Sequence, residues 1–267
     1  MSDELAMLDG AIAPVLETVL PVTDQGFIRG DGAFEVIRVY EGTAFLVDEH
    51  LDRIERSAAN LRLDGPVPRD LIESEAAELL ERRGDGRPFD GALRVILTRG
   101  GRRLLMTEPL PALPERLRLA TVTYAPTRVL DGVKSLSYAA NMLCSRLARE
   151  RGFDDAVLVT PHGRVLELPT ASLFWVGEDG VLCTTPLSEH ILASITRAHL
   201  MALLDVEERV ITAEQLLEVR EAFVASTARE VHPVAAIEDV QFEQVGEVTR
   251  KAAAAFTAHI DQLLGRV

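Results

Sequence analysis

The chain has 267 residues, 47% of them hydrophobic and 26% charged, which allows one large domain or two compact ones and excludes a disordered chain. Its formal net charge of -14 argues against a nucleic-acid backbone or an anionic membrane as partner, although a local basic pocket for a small anion is compatible with it. Two cysteines are too few for a disulfide framework, MSDELAMLDG shows no signal pattern, and no apolar run reaches spanning length, so a cytoplasmic protein is expected.

In chain order, residues 34–40 and 44–47 read as strands around the turn Glu41-Gly42-Thr43. Leu51, Ile54, Ala58 and Leu61 then form a helical stripe over 48–62, with Asp48 as N-cap. A second helix is expected over 68–83, followed by the loop GDGRPFDG, a strand at 92–98, and a loop through GGRRLLMTEPLPALPE. A strand at 116–124 closes the first half, and 126–132 reads as a connection. The second half opens with a short strand candidate at 133–138 and a helix at 140–151 ending on Gly152. Three or four strands with PHG and EDG turns follow, then helices at 194–204, 212–219 and 245–264, with the strand EAFVAST between the last two. Helices mixed with hairpin-linked strands predict an α+β protein of two domains, 1–125 and 133–267.

The chain is rich in arginine but has only two lysines, Lys134 and Lys251. Arginine is always protonated, whereas lysine can lose its proton and act as a nucleophile. Lys251 lies among alanines on the C-terminal helix and reads as a solvated side chain. Lys134 opens VKSLSYAANML, 133–143. Four further stretches stand out for polar residues set in apolar surroundings or at element ends. LVDEHLDRIERSAANLRL, 46–63, follows DQGFIRGDGAFEVIRVYEG, 24–42, and places Arg53 three residues after His50; the arginine fork matches phosphate oxygens. GRVLELPTASLFWV, 163–176, sets Glu167 between leucines, and ILASITRAHL, 191–200, reads as a helix start with Ser194, Ile195 and Thr196 at its unpaired amides. ASTAREVHPV, 225–234, reads as a Ser/Thr-stabilised turn. Each alone fits an ordinary helix face, strand, N-cap or turn.

Taken together and in this order, the five stretches resemble the class IV, or fold-type IV, aminotransferases, over about residues 24 to 234. These enzymes include branched-chain and D-amino-acid aminotransferases, (R)-selective amine transaminases and aminodeoxychorismate lyases. The resemblance implies a smaller N-terminal α/β domain, a larger C-terminal domain, and pyridoxal 5'-phosphate (PLP) in the cleft between them. It makes Lys134 the Schiff-base lysine. It gives Arg53, Ser194, Ile195, Thr196 and Thr227 to the phosphate, and Glu167 to the pyridine nitrogen. Ser172 stands where many members have Asn, and Ser194 replaces a glycine. A homodimer acting on a small-molecule amino donor and a 2-keto acid acceptor is implied, with the lyase reaction, or PLP binding without catalysis, as alternatives. Phe34, Arg38, Arg94, Tyr138 and Ala228 are candidate substrate contacts, with Arg99, Arg102, Arg103, Tyr40 and Trp175 as weaker ones. The branched-chain Y-I-R-P and D-amino-acid P-R-x-H signatures are absent, and no zinc spacing, P-loop or G-x-S-x-G is present, so no metal is expected.

Overall fold

The computed structural model describes residues 4–84 and 86–266. Residues 1–3, 85 and 267, which include the start of MSDELAMLDG and one position of the GDGRPFDG loop, lie outside the described residues. The chain divides into two compact units, Met1–Pro111 with Gly132–Tyr138 and Ala112–Asp131 with Ala139–Val267. Sequence placed this division differently. The expected connection falls almost wholly in the second unit, and the Lys134 segment falls in the first.

The first unit holds β1 (Leu5–Leu8), β2 (Ala11–Pro14), α1 (Gln25–Arg29), β3 (Gly32–Tyr40), β4 (Thr43–Ala44), α2 (Val47–Asn60), α3 (Arg69–Gly84), β5 (Gly91–Thr98) and β6 (Arg103–Glu108). Its strands form one antiparallel sheet in the order β2-β1-β6-β5-β3-β4. Strand alternation sorts the two faces. Ala33, Ile37, Val39, Leu93, Val95 and Leu105 bury one face against Leu51 and Ile54 of α2 and Ile72 and Leu79 of α3. The other face carries Phe34, Val36, Arg94, Ile96, Met106 and Glu108, of which only Phe34 is fully buried. Two expectations are corrected here. Asp48 is not the N-cap of α2: Leu46 caps it in the left-handed region at φ 55 with no side-chain bond, and Asp48 sits in the first turn, where it pairs with Arg69 at 3.3 Å. The stretch after Arg102 is not a loop, because β6 runs beside β5 from Ala92↔Glu108 to Leu97↔Arg103. Its alternation is blurred in sequence because neither face of β6 is strongly polar.

The second unit holds β7 (Leu117–Thr123), α4 (Ala139–Glu150), β8 (Asp155–Val159), β9 (Ser172–Val176), β10 (Leu182–Thr184), α5 (Ile195–Leu203), β11 (Glu207–Glu208), α6 (Ala213–Leu216), β12 (Glu221–Ser226), β13 (Glu230–Ile237), β14 (Val240–Gln241) and α7 (Glu247–Leu263). Its mixed sheet runs β11-β10-β9-β12-β13-β7-β8, with β14 on β13. β8 and β9 are buried at every position, the pattern of strands covered on both faces. Leu173, Trp175, Val157, Val224 and Leu216 share its main core, while Phe174 and Phe223 stack at 4.8 Å. Gly152 follows α4 at φ +85, the left-handed position expected of a C′ glycine. The 225–234 turn shrinks to 227–229, since β13 begins at Glu230. Among the described residues no helix is long and apolar enough to cross a membrane.

Candidate active site

Lys134 is not in a strand, as its sequence suggested; it lies on an extended segment stitched to the start of β3. The Phe34 N–H donates to the Lys134 carbonyl at 3.0 Å, and the Leu136 N–H donates to the Gly32 carbonyl at 2.9 Å. Ala33 and Ser135 form an isolated bridge. The close approach requires Gly32: a Cβ there would lie 2.4 Å from the Leu97 carbonyl and 2.7 Å from Leu136 Cδ1. The Lys134 N–H donates to Ser57 Oγ of α2 at 3.1 Å. Its half-buried side chain places Nζ 4.5 Å from the centre of the Phe34 ring and 5.7 Å from that of Tyr138. Phe34 and Tyr138 meet edge to face at 5.3 Å. Two of the candidate substrate contacts therefore frame the lysine amine. Arg94 joins them, its guanidinium carbon 5.3 Å from the Phe34 ring centre.

Beneath this group lies a buried charge cluster. Glu35 is fully buried and takes Arg53 through Nε at 2.7 Å and Nη2 at 2.6 Å. Its Oε2 also lies 2.7 Å from His50 Nδ1. Burial alone would push the Glu35 carboxyl up, but the hydrogen bonds and charge of Arg53 and His50 outweigh it and hold it down at about 2. Burial lowers the His50 pKa; the bond and charge of Glu35 oppose this, and the positive charges of Arg53 and Lys134 add to it. His50, Arg53 and Ser57 are one α2 face at helical spacing, so this helix fixes both the predicted arginine and the lysine backbone. Glu35, His50 and Ser57 went unassigned in the sequence. The signal was available: Glu35 occupies the core-facing phase of β3 with Ala33 and Ile37, where an acid demands a charged partner from the facing helix.

The remaining predicted residues belong to the second unit. Glu167 is half-buried between Leu166 and Leu168, both buried. It is not in a strand as expected; isolated bridges at Val165 and Leu168 flank it. Its Oε1 accepts the Leu192 N–H at 3.0 Å, which brings the carboxylate to the segment leading into α5. Ser194 caps α5, its hydroxyl accepting the Arg197 N–H at 3.3 Å, with Ile195 and Thr196 buried behind it. Ser172 is buried, and its Oγ has no hydrogen-bond partner among the described residues. It opposes Ala225 on β12, two positions before half-buried Thr227 and Ala228 in the following turn. Asp155 holds that turn through Arg229 Nη2 at 2.6 Å.

Other candidates are engaged elsewhere. Arg38 sits at the Tyr40 end of β3, bound to Asp90 at 2.7 Å, to the Gly91 carbonyl and to the Val39 carbonyl, and stacks on Tyr40. Arg99 clamps Asp31 and the carbonyls of Leu61 and Arg62. Arg102 pairs with Asp9 and Arg103 with Glu75, and Trp175 is core.

A sequence model of the family described as "Amino-transferase class IV" matches residues 32–237. The chain is 32% identical, over 91% of its length and 92% of the relative's, to a putative branched-chain-amino-acid aminotransferase of Methanocaldococcus jannaschii. It is 31% identical to a D-alanine aminotransferase of Bacillus licheniformis, over 87% of this chain and 88% of that one. A hypothetical aminotransferase from Mycobacterium tuberculosis in its PLP-bound form superposes with a TM-score of 0.86 at 26% identity, covering 97% of this chain and 99% of that one. The chain belongs to the class IV aminotransferases, with the two-domain fold of the fold-type IV transaminases. It is therefore a PLP-dependent transaminase, moving an amino group between a small-molecule amino donor and a 2-keto acid. The relatives favour this reaction over the lyase alternative.

Proposed function

We propose that Lys134 holds PLP covalently and that Arg53, Ser194, Ile195, Thr196 and Thr227 take its phosphate, with Glu167 at the pyridine nitrogen. The observation that carries this reading is the Lys134 amine framed by the rings of Phe34 and Tyr138 on a backbone fixed at both flanks. The residues fit the cofactor. The α5 N-terminus offers amides and a buried threonine to an anion. The orphaned Ser172 hydroxyl lies on the strand beside the one that leads to Thr227. Arg53 is held in plane by Glu35 along one edge, and a planar guanidinium fork matches phosphate oxygens. Bound PLP supplies an electron sink for the substrate Cα. With the cofactor bound, Lys134 Nζ would take the proton from the substrate Cα and return it, and Glu167 would supply the carboxylate at the pyridine nitrogen.

The half-buried apolar side chains Val36, Ile96 and Met106 on the Lys134 face support an aliphatic amino-acid donor, as do the names of the two relatives. Leu16, Val19, Val22, Phe27 and Ile28 are all exposed within one short stretch, a concentration of apolar surface that marks an interface, and we assign it to a homodimer. The buried free thiols Cys144 and Cys183 suit a reducing, cytoplasmic setting. The test is the visible spectrum of the PLP-loaded protein before and after L-leucine, D-alanine and (R)-1-phenylethylamine are added separately. A visible band that Lys134→Ala abolishes, and that the aliphatic donors bleach, is expected. No band after PLP is added would sink the reading. Sedimentation of a stable, active monomer would sink the dimer.

A further inference from the structure

The sheet face over which the Lys134 amine lies also holds an ion pair between Arg94 and Glu108. Arg94 of β5 lies over Phe34, the ring that also faces the Lys134 amine. Its Nε and Nη2 are both taken by Glu108 of β6, at 2.5 and 2.8 Å. Both side chains remain about a quarter exposed, 28% and 26%. The other arginine of this face, Arg38, is closed off by Asp90 and two backbone carbonyls. The rest of the floor is apolar, with Val36, Ile96 and Met106 half-buried. Both arginines of the face are thus committed to acids of the same chain.

We propose that Glu108 sets the acceptor class of this transaminase, admitting 2-keto monocarboxylates in preference to 2-keto dicarboxylates. The inference rests on the reading that Lys134 is the reacting amine. A keto acid held by its α-carboxylate near Lys134 extends its far end over Phe34 toward Arg94. An aliphatic tail there meets Val36, Ile96 and Met106 and leaves the ion pair intact. A distal carboxylate reaches a cation whose two-point edge is already filled, and it arrives beside the Glu108 carboxylate. Like charges in a partly desolvated site are costly, and discrimination of this kind works by repulsion rather than by added attraction.

The experiment compares KM for 4-methyl-2-oxopentanoate and 2-oxoglutarate with the PLP-loaded enzyme. It also measures by calorimetry the Kd of 4-methylpentanoate and glutarate, which lack the keto group and bind without turnover. Wild type is expected to favour the monocarboxylate in both ratios by roughly tenfold or more. Glu108→Gln keeps a hydrogen bond to Arg94 but uncovers its charge, and should move both ratios toward the dicarboxylate by about tenfold. Glu108→Ala should move them in the same direction, which guards against a fold defect in either variant. Adding Arg94→Met to Glu108→Gln should erase the gain. A wild-type preference for 2-oxoglutarate, or ratios that Glu108→Gln and Glu108→Ala leave in place, would overturn the proposal. The two failures are distinguishable. Absence of a Lys134-dependent visible band sinks the Lys134 reading and this inference with it, whereas the band with an unshifted ratio sinks the Glu108 reading alone.

Discussion

Glu35 is the residue on which the first unit's electrostatics turn. Its charge is buried and bound by Arg53 and His50, so Glu35→Gln removes the carboxylate that faces a buried guanidinium. Breaking such a pair costs about 3–5 kcal/mol, and chemical denaturation of the variant should show a loss of that size. The pH dependence follows with a definite sign. The Glu35 pKa falls from 4.5 to about 2 on folding, so its contribution is complete above about pH 4.5 and is lost as pH drops toward 2. The His50 pKa is also lowered, so below the ordinary histidine range the unfolded chain takes up a proton that the folded one resists, again favouring unfolding. Stability should decline in two acid steps, the lower of which Glu35→Gln flattens. An acid titration of Tm that is unchanged in this variant would contradict the assignment. Arg53 was legible in sequence because its spacing from His50 matched a known pattern. Glu35 was not, because one acid in a strand cannot reveal which helix will face it.

At the scale of elements, two short pieces of backbone hold the residues proposed for the cofactor. The segment around Lys134 pairs with β3 only because Gly32 has no side chain. Gly32→Ala forces either β5 or the lysine segment to move. The variant should therefore lose much of the Lys134-dependent visible band at fixed PLP, while far-UV circular dichroism stays close to wild type. The N-terminus of α5 depends on the Ser194 cap. Ser194→Ala should cost about 1 kcal/mol and Ser194→Gly only a few tenths, a ranking that thermal melts of both variants read directly. Helices were legible where an end signal stood in the sequence, as with Gly152 after α4 and Ser194 before α5. The 133–138 segment and Glu167 were misread as strands because an extended, half-buried backbone has the same composition whether or not a ladder forms beside it. β6 was missed because the flanking prolines and glycines of its loop outweighed six residues of weak alternation.

For the whole molecule, the division into units was legible only in outline. Sequence showed two α+β halves, but their contacts assign residues 112–131 and 132–138 in the opposite sense to chain order, and no local pattern reports which sheet a connecting segment will join. Ligand linkage provides the test at this scale. PLP at one hundred times its Kd should add about 2.7 kcal/mol to the folded state. That corresponds to a rise in Tm of roughly 5–10 °C for a chain of this size. Lys134→Ala should lose most of that rise, and an equal rise in the variant would show that the lysine adds little to cofactor retention.

The scarcity of lysine has one practical consequence. Of the two lysine side chains, Lys134 is half-buried beside Phe34, whereas Lys251 is exposed on α7. Peptide mapping after brief amine acylation should therefore find Lys251 modified well ahead of Lys134.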